Sequence, residues 1–393
     1  MIPGAGSTVT GVVPRQLTFS RVVRLASIVF CSLLPLFTLG VLFASAIQDD
    51  AVAFDFRVFY AAAEAVLRGE TPYQPLGDPA AVVGRGYVYP PVTAIGAIPF
   101  TMLPLEAAGL LVMALLVVAA LAVPLVLGVR DWRCYGVVLL WPPVISAIQT
   151  GSVTILLALG AALTWRFRDR LLTSSASAGV TLAVKLILWP MVVWLAATRR
   201  LAAAALSCLI GLVLVLAAWA AIGFSGLADY PDVLRRLQAE VELDSYTAYV
   251  VALDAGAPSS LARAIWLALG LGLLSAVVVV ARRGGDQEAF VLAIAAALAL
   301  TPIVWLHYFA LLVVVVAVAQ PRLGLAWFVP LAMFVTPGSG SPTPFETSAT
   351  LAVAALTIAV ALRASVAGVR PVGSDPPLTP GVRPHGSDPE PAR

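Results

Sequence analysis

Apolar residues run through this chain in long blocks broken by short charged or proline-containing segments. The first block covers 25–47. Others follow at 92–103, 105–129, 134–148, 150–166, 175–197, 201–223, 259–281, 287–302, 303–319, 323–336 and 347–366. Several reach the ~20 residues that an α-helix needs to cross a bilayer, and the period-two alternation of barrel strands is missing. Backbone groups in hydrocarbon must be satisfied within their own segment, so the pattern predicts an all-α polytopic membrane protein of about twelve hydrophobic helices, ten to twelve of them crossings. Blocks of about 12 to 15 residues span roughly 20 Å, less than the ~30 Å hydrocarbon core. With Trp141-Pro142-Pro143 and Trp189-Pro190 inside them, they read either as broken helices around a cavity or as kinked ones.

Two hydrophilic stretches interrupt the blocks, 48–91 and 224–258. The first is acidic and aromatic, opening on Asp49-Asp50 and closing on Tyr87-Val-Tyr-Pro-Pro91. From Asp55 a helical pattern gathers Phe59, Ala62, Ala63 and Val66 on one face, with Gly69 as a stop, as expected of a helix lying in the membrane interface. The second carries Asp229, Asp232, Glu240, Glu242, Asp244 and Asp254. Residues 1–24 hold Arg15, Arg21 and Arg24, which sets them in the cytoplasm and both acidic loops outside. The block 25–47 is longer than a signal-peptide core and is read as a retained first helix. Residues 25–366 form the transmembrane domain. The tail 367–393 repeats Gly-Val-Arg-Pro-x-Gly-Ser-Asp-Pro and is expected to be disordered, with no role for His385.

Two topologies fit. If every block crosses, Arg130, Arg133, Arg166, Arg168 and Arg170 face outward, against the positive-inside bias. If 92–103 is a half-helix and 175–197 folds back on itself around Lys185, those arginines return to the cytoplasm. Both versions keep the two acidic loops on one external face.

Composition narrows the classes. Hydrophobic residues make up 60% and charged residues 11% of the chain, with mean hydropathy +0.96, which excludes an ordinary soluble domain. A net charge of +3 without a long basic tract excludes a nucleic-acid partner. Cys31, Cys134 and Cys208 lie in or beside apolar blocks and read as packing residues, without a disulfide or a metal site.

Few ionisable groups lie within the membrane domain, and each is a functional candidate. Asp55 sits at the start of its helix, where it is either an N-cap or a reactive carboxylate. Lys185 is the only lysine in the chain and lies mid-block, suited as a point charge for an anionic head group such as a phosphate. His307 is the only histidine outside the tail. Gln149 could bond a sugar or cap a helix.

Taken in order, Asp55-Phe-Arg-Val-Phe-Tyr, the turn from Gly69 to Tyr73, Tyr87-Val-Tyr-Pro-Pro91, Gln149-Thr-Gly, Ala183-Val-Lys185 and Pro302-Ile-Val-Trp-Leu-His307 resemble glycosyltransferase family 87. These are actinobacterial polyprenyl-phosphate-mannose-dependent mannosyltransferases of the membrane C superfamily. The resemblance implies an inverting hexosyltransferase of the cell membrane that acts on its extracytoplasmic face. It would move mannose from a polyprenyl-phosphate donor to a glycolipid or lipoglycan acceptor without a cofactor. By that similarity Asp55 is the general base, and Lys185, His307 and Arg57 meet the donor phosphate. Tyr60, Tyr73, Tyr89 and Gln149 would line the sugar and acceptor pocket. The family often shows Gly-Gln-x-Asn where this chain has Ile148-Gln149-Thr150-Gly151, and paired histidines where it has His307-Tyr308. The alternative is a transporter or flippase of a lipid-linked sugar, which needs the same broken helices and lone buried cation.

Overall fold

The computed structural model describes residues 15–48, 53–73, 86–336 and 341–366. The first fourteen residues, part of the loop after Asp49 and the repeat-bearing tail 367–393 lie outside the described residues. Every regular element among the described residues is helical. The chain opens with α1 (Arg15–Ile28), a π turn and α2 (Leu34–Gln48), followed by α3 (Phe54–Leu67), α4 (Pro91–Ala97), α5 (Leu105–Val126), α6 (Trp132–Leu139), α7 (Pro142–Thr150) and α8 (Thr154–Arg166). Next come α9 (Leu171–Val184), α10 (Pro190–Ala197), α11 (Leu201–Ala221), α12 (Tyr230–Val241), α13 (Ala248–Asp254), α14 (Ser259–Arg282), α15 (Asp286–Leu300), α16 (Leu312–Ala319), α17 (Leu325–Phe328) and α18 (Pro344–Val366).

Among the described residues, five helices are long and apolar enough to cross a membrane: Val22–Gln48, Leu105–Val126, Leu201–Ala221, Ser259–Arg282 and Pro344–Ala364. The pair α7 and α8, bent by 118°, makes a sixth if it counts as one span. The outer face of α11 carries Leu209, Leu212, Val213 and Leu216 at half exposure or more, a surface suited to lipid rather than water. The expected ten to twelve crossings thus become five or six full-length spans and a set of shorter apolar helices. Most of the remaining apolar blocks fold as helices shorter than a full span, and two of them start a second helix at a proline. Pro142 and Pro190 each stand in the first turn of a new helix, where a missing N–H costs nothing, so these prolines start helices rather than kink them.

Two of the short helices, α9 and α10, form a re-entrant pair in the sense that the chain returns to the end of the fold from which it set out. Ser175 Oγ donates to the Ala203 carbonyl at 3.3 Å. Further along, Gly179 packs against Ile210 and Gly211 against Leu182 and Ala183. The matched numbers rise together, so α9 and α11 run parallel, and α10 between them must return to the starting end. Ionic contacts agree: Arg168 before α9 and Arg200 before α11 both bind Asp286, at 3.0 and 2.9 Å. The 14 residues of α9 reach roughly 21 Å at 1.5 Å per residue, which leaves Lys185 at the tip.

The core lies where α15 and α16 are wrapped by the others; Val313 to Val316 and Phe290 are fully enclosed. Trp141 Nε1 donates to the Trp327 carbonyl at 2.9 Å. Close helix approach depends on Gly136, where a Cβ would stand 1.8 Å from the Cys31 carbonyl oxygen. Cys31 and Cys134 are buried packing residues as expected, whereas Cys208 is exposed on the apolar outer side of α11.

Candidate active site

Asp55 lies in the first turn of α3 but does not cap it. The N-cap is Ala53, which is buried, holds a left-handed backbone (φ 50°) and makes no side-chain cap bond. That conformation costs of order 1 kcal/mol for a residue with a Cβ. Contacts from the α7–α8 turn hold it, since the Ala53 N–H donates to the Gln149 carbonyl at 3.2 Å. Gly151, itself left-handed (φ 69°), lets the turn come this close: a Cβ there would meet Phe56 Cβ at 2.8 Å and Ala53 Cβ at 2.9 Å. The rest of α3 follows the expected pattern, with Phe56, Phe59, Tyr60, Ala62 and Ala63 buried and Gly69 left-handed just past its end.

His307 lies beside this carboxylate, and Lys185 acts on it through its charge. His307 Nε2 stands 3.7 Å from Asp55 Oδ2, and the two side chains are 8% and 22% exposed. Burial pushes the Asp55 carboxyl up, to about 6, while the charge of Lys185 and the hydroxyls of Ser152 and Thr150 pull it down. The balance leaves a carboxylate that is ionised near neutral pH yet basic enough to take a proton.

Lys185 owes its position to the break between α9 and α10. Its backbone is extended (φ −159°, ψ 123°), so the side chain leaves the helix axis. Its Nζ donates to the Tyr89 hydroxyl at 3.1 Å and to the Tyr308 hydroxyl, and lies 4.8 and 4.1 Å from the centroids of the same two rings. An ammonium has three N–H groups, so two tyrosines leave one for a ligand.

The loop bearing Tyr89 is locked from several sides. Tyr87 donates to the Pro90 carbonyl and accepts from the Ala94 N–H in the first turn of α4. Tyr73 donates to the Tyr89 carbonyl at 2.9 Å, and Tyr230 to the Val88 carbonyl at 3.1 Å. Phe59 meets the Tyr89 ring edge-on at 4.9 Å.

Asp55, Lys185, His307 and Tyr89 therefore converge, while the hydroxyls of Tyr60 and Tyr73 turn to backbone carbonyls. The Tyr60 hydroxyl donates to the Leu103 carbonyl at 2.9 Å, and the Tyr73 ring stacks on Trp219 at 5.3 Å. Both phenols are occupied in packing. Arg57 is half-buried and, two residues beyond Asp55, points roughly 200° around the helix from it. Gln149 serves the site through its backbone carbonyl, with an exposed side chain. Tyr308, Ser152 and Thr150 complete the cluster without having been singled out in the sequence. A signal existed for Tyr308, which stands where the resembled family often has a second histidine. Among the described residues no group of three His, Cys, Asp or Glu side chains gathers to hold a metal.

The family model for glycosyltransferase family 87 matches residues 87–304, more than half of the chain. The chain belongs to glycosyltransferase family 87. No curated protein and no solved structure matches it. Membership makes the protein a membrane glycosyltransferase of the hexosyltransferase type, working with a lipid-linked sugar donor and an acceptor in a membrane. The family match favours this over the transporter reading. The matched stretch contains Tyr89, Gln149, Ser152 and Lys185; Asp55 precedes it and His307 follows its end.

Proposed function

We propose that this family 87 enzyme transfers mannose from a polyprenyl-phosphate donor to a glycolipid or lipoglycan acceptor, with inversion, on the extracytoplasmic face of the cell membrane. The observation that carries this reading is the convergence of Asp55, His307 and Lys185 from three distant parts of the chain. Mannose and the polyprenyl carrier come from the sequence resemblance to the family's mannosyltransferases. The extracytoplasmic assignment rests on charge. Lys185 sits at the end of α9 away from Arg168, Arg200 and their neighbours, and arginine-rich loops favour the cytoplasm.

In the single displacement we propose, Asp55 accepts the proton of the acceptor hydroxyl as that oxygen bonds to C1 of the sugar. The bond from C1 to the phosphate oxygen breaks, and its electron pair leaves on the polyprenyl phosphate. Positioned general bases contribute about 10²–10⁴-fold. The departing phosphate gathers charge, which the remaining N–H of Lys185 and a hydrogen bond from His307 would stabilise. Arg57 is a more distant donor-phosphate candidate. Tyr89 would bound the sugar, with Gln149 at the rim; Tyr60 and Tyr73 would support the pocket wall from behind.

The test is transfer from polyprenyl-phosphate mannose by the purified enzyme, beside Asp55→Asn. Turnover by wild type and its loss in Asp55→Asn are expected. Full activity in Asp55→Asn removes the base assignment. Transfer from another polyprenyl-phosphate sugar in preference to mannose removes the mannose assignment and leaves the base in place.

A further inference from the structure

At the opposite end of the re-entrant pair from Lys185, a cavity of about 720 Å³ opens between the start of α11 and the end of α14. Thr198, Arg199, Arg200, Leu201, Arg282 and Asp286 are among the residues that line it. Asp286 is fully engaged: Oδ1 accepts from Trp194 Nε1 at 2.9 Å and Arg200 Nη1 at 3.0 Å, and Oδ2 from Arg168 and Arg200. Arg200 also binds Asp169 at 2.9 Å. The floor of the cavity is thus close to neutral. Arg199 and Arg282 are exposed on its walls, and among the described residues no ion pair forms on either.

Three features give the ligand its character. Arg199 has a left-handed backbone (φ 65°) just past α10, a position that glycine fills with less strain, so a guanidinium is held there at a cost. Two guanidinium groups on one cavity suit the oxygens of a phosphate ester, which they can bond in pairs. Leu201 begins one candidate span and Arg282 ends another, so the cavity lies where a lipid headgroup would, with the 66% exposed Leu201 side chain as an apolar rim.

We infer that this cavity binds the phosphate of an anionic phospholipid, separately from the proposed sugar-transfer site. Basic pockets between membrane helices are known to take such headgroups. Phosphate-ester chemistry is shared by lipids and soluble metabolites; the apolar rim and the span boundary favour the lipid.

The experiment uses the full chain, purified in detergent and stripped of lipid, with melting followed as phosphatidylglycerol is added. Parallel titrations use phosphatidylcholine and sn-glycerol 3-phosphate. Phosphatidylglycerol should raise the melting temperature by several degrees, and R199Q/R282Q should need about tenfold more of it for the same effect. R235Q/R236Q, which removes two arginines elsewhere, should respond as wild type does. R199G/R282Q keeps the backbone of residue 199 relaxed, so it should fold without lipid and still lose the response. Equal responses of wild type and R199G/R282Q, or an equal effect of phosphatidylcholine, would overturn the inference. Protection by glycerol phosphate as strong as by the lipid would replace the lipid with a soluble ester.

Discussion

His307 Nε2 stands 3.7 Å from Asp55 Oδ2, beside the carboxylate but too far for a direct hydrogen bond. Asp55 is thereby held beside a polar neighbour without being consumed by it. Capping duty does not consume it either, since Ala53 has taken the end of α3. A carboxylate spared both roles is free to accept a proton.

The acid limb of the pH profile should report Asp55. Its carboxyl is pushed up to about 6 by burial, and a base must be ionised. Transfer measured as kcat/KM should fall about tenfold for each unit below that value and level off above it. Lys185 pulls the value down, so Lys185→Gln should move the limb to higher pH. Stability carries the opposite sign. The folded-state value exceeds the unfolded ~3.9, so this group favours folding most below about 4, and that contribution fades as pH rises through about 6. The melting temperature of wild type relative to Asp55→Asn should therefore drop across that window. A difference that is constant with pH would refute the raised value.

Removing one phenolic oxygen beside Lys185 should weaken donor use without unfolding the protein. Tyr89 and Tyr308 each accept a hydrogen bond from the ammonium while their rings lie against it. Hydrogen bonds to charged groups contribute about 1.5–3 kcal/mol, and Phe keeps the ring contact. Tyr308→Phe and Tyr89→Phe should each lose about tenfold in kcat/KM, with the melting temperature lowered by only a few degrees. Steady-state kinetics with varied donor tests this; unchanged kinetics in the double variant would show that Lys185 is held by other means.

Much of this site was legible in the sequence because its members are chemically out of place. A single lysine in an apolar block, a single histidine outside the tail, and an aspartate opening an amphipathic helix stand out wherever they fold. Helix α3 and its glycine stop followed from spacing alone. What stayed hidden depends on contacts between distant segments. Nothing local marks Ala53 as an N-cap, because the Gln149 carbonyl and Gly151 that hold it come from another helix turn. The family resemblance set Tyr60 and Tyr73 at the pocket, and only the fold shows that their hydroxyls meet the carbonyls of Leu103 and Tyr89. Five or six full-length spans stand where ten to twelve crossings were expected, because apolar composition does not reveal which blocks fold as helices shorter than a bilayer.

Gly151→Ala should damage catalysis from outside the reacting groups. The added Cβ would overlap Phe56 and Ala53 at under 3 Å in a left-handed turn, forcing α3 and Asp55 away from His307. Overpacking and strain together should cost about 2–4 kcal/mol of stability, and displacement of the proposed base should lower kcat at least about tenfold. Gly69→Ala is the control. It shares the left-handed backbone but meets open space, so it should cost about 1 kcal/mol and leave kcat unchanged. Thermal melting and turnover of the two variants separate the steric effect from strain.

Asp286→Asn should loosen the re-entrant pair at its base. One carboxylate joins Arg168, which precedes α9, to Arg200, which follows α10, and so holds both feet of the segment whose tip carries Lys185. The amide keeps the shape but loses the charge and one acceptor oxygen, leaving two partly buried guanidinium groups underpaired. Breaking a fully buried pair costs about 3–5 kcal/mol. With side chains here 18–30% exposed, solvent screening should reduce that to about 1–3 kcal/mol. Because the loss falls on the support of Lys185, turnover should drop along with stability. Asp232→Asn breaks only the exposed pair with Arg235 and should change stability by less than about 0.5 kcal/mol. If Asp286→Asn melts like wild type and transfers sugar at the wild-type rate, the feet of the pair are held by packing of α9 against α11, and the ionic tie is incidental.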